Sequence, residues 1–142
     1  MTDKNVSIMN IGSMGYLPQV FKKIENEKKL NIVYLGGSIT MGCNATKTEL
    51  RYVDRSAKWW QTNFPDAEIS YFNAGIGATT SQFGVARVQE HVLDKQPDLV
   101  FVEFSVNDSS SPLFMETYES LVRRLLKAES VKAVVLINNL FY

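Results

Sequence analysis

Three short stretches hold the residues that could do chemistry: Gly36-Gly37-Ser38, Gly75-Ile76-Gly77-Ala78 and Val106-Asn107-Asp108. Ser38 carries a hydroxyl directly after two glycines, which let the chain turn sharply and let other groups approach. A hydroxyl so placed can attack a carbonyl carbon, provided that donors meet the oxyanion that develops. The backbone N–H of Ser38, at a helix start, is one natural donor. A backbone N–H from the glycine-rich second stretch is another, and the side-chain amide of Asn107 is a third. An asparagine donates without a charge that would trap the product. Taken alone, Asn107 reads as a helix cap or turn residue.

These stretches have to be positioned by the elements around them. The apolar run at residues 32–35 has the length of a buried strand and stops at Gly36. Residues 69–72 form a second strand, residues 99–104 a third, apolar enough to be central, and residues 131–137 a fourth. Helical periodicity lies between them. Pro18 suits a first turn, and Leu17, Phe21 and Ile24 share a face of a helix over 18–28, with Glu25 and Lys29 as an i,i+4 pair. Val53, Ala57, Trp60 and Phe64 mark a helix over 51–64, in which Trp59 and Trp60 read as core and sheet packing rather than as sugar platforms. Further helices are expected over 82–95 and 115–128.

Strands alternating with helices mean βαβ units, a parallel sheet and a three-layer α/β/α sandwich. In such a sheet all three turns lie on one edge, where ligands bind beyond the strand ends. We expect residues 1–30 to be an arm and short helix, and residues 31–142 to be one α/β domain.

Composition excludes other classes. The chain has 142 residues, 45% of them apolar, and 15 basic residues balance 15 acidic ones. No basic stripe suggests nucleic acid or a membrane surface. The N-terminus lacks an apolar signal core and no run reaches membrane-spanning length, so a cytoplasmic location is expected. One histidine and one cysteine cannot make a usual zinc site, and one cysteine makes no internal disulfide. Cys43 reads as a small buried hydrophobe. There is no phosphate-gripping lysine loop. Gly75-Ile76-Gly77 opens like a dinucleotide fingerprint but lacks its third glycine, so no cofactor is expected.

Together the three stretches resemble the SGNH hydrolases, also called GDSL-type esterases. Leu35-Gly-Gly-Ser-Ile-Thr40 matches the first family block, Asn73-Ala-Gly-Ile-Gly-Ala-Thr-Thr-Ser81 the second, and Ser105-Val-Asn-Asp108 the third. The blocks occur in order, each after a strand. The resemblance implies a flavodoxin-like fold without a cofactor and a serine esterase acting on a small ester, such as an O-acetyl group on carbohydrate. It implies Ser38 as nucleophile, with the N–H of Ser38, a backbone N–H at Ala78 and the amide of Asn107 forming the oxyanion hole. The family has glycine at position 78. A negative φ would leave Ala78 comfortable as a donor; a positive φ would strain it and favour Gly77. Ser105 replaces the third-block glycine and adds a hydroxyl near Ser38.

The family also places its base in an Asp-x-x-His block after a fifth strand, and no match occurs in these residues. The single histidine, His91, lies in a helix and reads as a surface or packing residue. Residues 133–137 are apolar on both faces, which calls for covering neighbours. We therefore expect the N-terminal portion of a longer hydrolase domain, lacking a C-terminal strand and helix and impaired by itself, or an oligomer that covers this edge. Two other readings stay open: a non-catalytic binding module, and a flavodoxin-like phosphate or nucleotide binder using the Gly36-Gly37 turn.

Overall fold

The computed structural model describes residues 12, 13 and 15–139. Most of the expected N-terminal arm lies outside these residues. Helix α1, Leu17–Glu27, has Pro18 in its first turn and closes on Lys28, whose left-handed backbone returns an N–H to the Ile24 carbonyl. That closure puts Lys29 in strand β1, Lys29–Gly36. The expected Glu25–Lys29 pair therefore does not form: Lys29 reaches Glu68 at 3.7 Å, and Lys23 pairs with Glu27 and Asp98, each at 3.0 Å.

A single turn, α2 (Ser38–Met41), follows β1 and ends at Gly42 with φ +102°. A short 3-10 turn leads into α3, Tyr52–Asn63, and then β2, Glu68–Gly75. Helix α4, Ser81–His91, precedes β3, Leu99–Glu103. Helix α5, Pro112–Lys127, leads to β4, Ala133–Leu136. It begins at Pro112 rather than Met115 because Ser111 is extended and proline's fixed φ suits a first turn.

The four strands pair in parallel in the order β2-β1-β3-β4. Side chains alternate across β1. Val33 and Leu35 face a core closed by Val88 and Val92 and, from α5, Leu121 and Leu125. Leu30, Ile32 and Tyr34 face a second core closed by Val20, Ile24, Val53 and Trp60. Helices α1 and α3 thus cover one face, and α4 and α5 the other, which is the expected three-layer α/β/α sandwich.

Two side chains differ from expectation. Trp60 lies on the buried stripe of α3 with Val53 and Ala57, but Trp59 is 52% exposed. Adjacent helical residues sit about 100° apart, so one tryptophan faces the core and the other does not. Cys43 is exposed rather than buried, because Gly42 turns the chain out of α2.

Strand β4 pairs with β3 and with no other strand among the described residues. Leu136 at its end is 47% exposed. No helix among the described residues is long and apolar enough to cross a membrane.

Candidate active site

The register brings the turns together. Gly36, the last residue of β1, lies opposite Gly75 on one side and Glu103 on the other. Three strands therefore end side by side, and their turns leave from one edge. Ser38 begins α2 immediately beyond it. Its carbonyl accepts from the N–H groups of Gly42 and Cys43, which closes the turn. Its own N–H and hydroxyl meet no acceptor among the described residues, as expected at the open end of a helix.

Gly37 is where all three stretches meet. A Cβ built there would lie 2.7 Å from Asn107 Oδ1 and 3.2 Å from the Thr79 carbonyl. The glycine lets Asn107 and the second turn close onto the backbone beside Ser38. Asn107 is held by a tight turn, its N–H and that of Asp108 both donating to the Phe104 carbonyl at 3.0 and 2.9 Å. Asp108 reaches across and accepts the Ser81 N–H at 3.0 Å, which caps α4 and ties the third stretch to the second.

The second turn is fastened to α2 in the same way. Asn73 donates to the Thr40 carbonyl at 2.8 Å and accepts the Gly75 N–H at 2.9 Å. The side chain of Met41 lies over Gly77, 3.2 Å from where its Cβ would be. Ala78 has φ +57°, the left-handed conformation that strains a residue with a side chain. By the sequence argument this makes Gly77 the better donor; neither its N–H nor that of Ala78 meets an acceptor among the described residues.

The hydroxyl that Ser105 adds in place of the third-block glycine has partners of its own. It donates to Glu103 Oε1 at 3.0 Å and accepts the Asn139 N–H at 2.9 Å, so it anchors the end of the sheet and makes no hydrogen bond to Ser38. His91 lies at the far end of α4, its Nδ1 3.3 Å from Arg87 Nη1. Three buried tyrosines do not substitute for a base. Burial pushes the Tyr34 and Tyr118 hydroxyls up to about 12, and raises that of Tyr52 further despite its bond to Thr40. All three stay protonated at neutral pH.

Sequence reading thus located Ser38, Asn107 and the second turn, and the structure brings them to one edge. It missed the bracing residues Asn73, Asp108 and Arg87. Asp108 and Asn73 stood inside the quoted motifs. Arg87 had a weaker signal, a charged residue one turn beyond Gly84, which is buried.

Residues 34–141 match the family model of the GDSL-like lipase/acylhydrolases, and the chain belongs to that family. Its fold is that of SGNH esterases. It is similar to a two-domain esterase (CEX) active on acetylated mannans, with a TM-score of 0.90 and 49% identity over 94% of this chain and 36% of that one. The structure of that esterase co-crystallized with mannopentaose gives a TM-score of 0.88 and 49% identity over 92% and 36% of the two chains. Axe2, an acetylxylan esterase from Geobacillus stearothermophilus, shares the fold with a TM-score of 0.61 and 24% identity, over 75% of this chain and 58% of that one. No curated protein matches the sequence. The chain spans 36% of the length of the mannan esterase.

Proposed function

We propose that these residues carry the nucleophile and oxyanion hole of a serine esterase that removes acetyl groups from carbohydrate. The observation that carries the reading is the packing of Asn107 and Thr79 against Gly37, directly beside the open N–H and hydroxyl of Ser38. Ser38 Oγ bonds to the ester carbonyl carbon and loses its proton to a base. The carbonyl oxygen gains charge facing the Ser38 N–H, a second-turn N–H from Gly77 or Ala78, and the Asn107 amide. Collapse breaks the bond to the alcohol oxygen, which leaves protonated, and water then hydrolyses the acyl-serine. The likeness to a mannan-active esterase at 49% identity supports an acetylated polysaccharide or its oligosaccharides as the substrate class.

The one histidine in these residues is held by Arg87, so the 142 residues alone are expected to acylate slowly. Loss of a triad function costs several orders of magnitude and leaves the contribution of the oxyanion hole. The test is labelling by a fluorophosphonate and turnover of an acetyl ester, for this stretch, for the full gene product, and for each with Ser38→Ala. Labelling of the full gene product that Ser38→Ala abolishes supports the reading. A folded full product that neither labels nor turns over ester refutes it and leaves a binding module.

A further inference from the structure

Arg87 is buried, 5% exposed, and among the described residues it forms no ion pair. A guanidinium taken out of water without a counter-ion is costly, and burial lowers its pKa. What it holds instead is backbone. Nη1 donates to the Ala74 carbonyl at 2.6 Å and Nη2 to the Gly36 carbonyl at 3.1 Å. Those two carbonyls stand where β2 and β1 turn into the site: Gly36 precedes Gly37-Ser38, and Ala74 precedes the second turn. The Gly36 carbonyl also accepts the Ile76 N–H at 3.1 Å. One side chain from α4 therefore closes a ring between the nucleophile turn and the turn facing it. The Phe83 ring centroid lies 5.7 Å from the guanidinium carbon, and His91 Nδ1 lies 3.3 Å from Nη1. A planar fork can reach two acceptors on neighbouring strands; an ammonium offers a point charge.

We infer that Arg87 is a positioning residue, which sets the spacing between Ser38 and the second-turn donor by clamping the Gly36 and Ala74 carbonyls. Its kinetic consequence rests on the esterase reading; its effect on the backbone does not. An acyl carbonyl has to fit between Ser38 Oγ and donors on both turns, and misplacement by about 1 Å costs on the order of 100-fold in rate.

The test uses the full gene product as wild type, Arg87→Met and Arg87→Lys. Hydrogen exchange at the amides of Gly37 and Ile76, which donate to the Glu103 and Gly36 carbonyls, is compared with that at Val100 and Val102 in β3. In Arg87→Met the turn amides are expected to exchange about tenfold faster or more, with the β3 amides within about twofold of wild type. The kcat for an acetyl ester is expected to fall by about 10- to 100-fold at nearly constant KM, with only partial recovery in Arg87→Lys. Unchanged exchange at the turns overturns the inference. So does acceleration that is equal in the turns and β3, which marks an arginine needed only for general stability, and so does a loss confined to KM. If Arg87→Met does not fold, Arg87→Lys carries the same readouts. If the wild-type protein turns over no ester, the esterase reading fails and amide exchange alone decides the clamp.

Discussion

Ala78 holds a left-handed backbone, φ +57°, at an exposed position where glycine would be relaxed. Contact between Cβ and the backbone costs about 1 kcal/mol in that conformation. Ala78→Gly relieves it, at some cost in the entropy of the unfolded chain. The net expectation is a gain of about 0.5–1 kcal/mol, read as a higher urea midpoint at unchanged slope. An equal or lower midpoint would mean that the turn is not held in this conformation in solution. The same residue illustrates how a site tolerates strain: the peptide plane it sets belongs to the turn that faces Ser38.

At the scale of elements, α2 is a single turn and has no stability of its own. It is kept in place by what touches it. A Cβ at Gly75 would lie 2.2 Å from the Met41 N. Gly75→Ala must therefore push α2 or β2 aside, and we expect a loss of about 1–3 kcal/mol in chemical denaturation together with loss of Ser38 labelling. A second link joins α3 to β2. Asp54 accepts from Arg51 at 2.6 Å and from the Tyr71 hydroxyl at 2.9 Å, and the Arg51 guanidinium holds the Asp54 carboxyl below its ordinary value of 3.8. The unfolded chain takes up this proton first as pH falls. The stabilisation is therefore complete above 3.8 and is lost as pH drops through the lower, folded value. Asp54→Asn should unfold more readily than wild type at pH 7, with the gap in urea midpoints closing below about pH 4. A gap that persists unchanged in acid would contradict this linkage.

The whole molecule is one sheet between two cores. Leu121 belongs to the core under α4 and α5, and Trp60 to the core under α1 and α3. Truncating either to alanine should cost about 2–5 kcal/mol. Because the sheet separates them and they share no partner, the double variant should lose the sum to within about 0.5 kcal/mol, in one cooperative transition. Two separate transitions by fluorescence and circular dichroism would show instead that the faces unfold independently.

Local pattern was enough for much of this. Apolar runs, helical spacing and the punctuation at Pro18 and Gly36 mark where strands and helices lie, and alternation of the two leads to a parallel sheet with its turns on one edge. Ser38 and Asn107 were legible because each is a polar residue in the turn that follows a strand. Tertiary structure alone decided which groups those turns meet. The Ser105 hydroxyl serves Glu103 and Asn139 rather than Ser38, Trp59 faces outward while Trp60 packs, and Arg87 clamps carbonyls 13 and 51 residues away in the chain. Periodicity reports the face a side chain takes on its own element. It does not report the register between strands, and it is the register, Gly36 beside Gly75 and Glu103, that places those carbonyls within reach of one guanidinium.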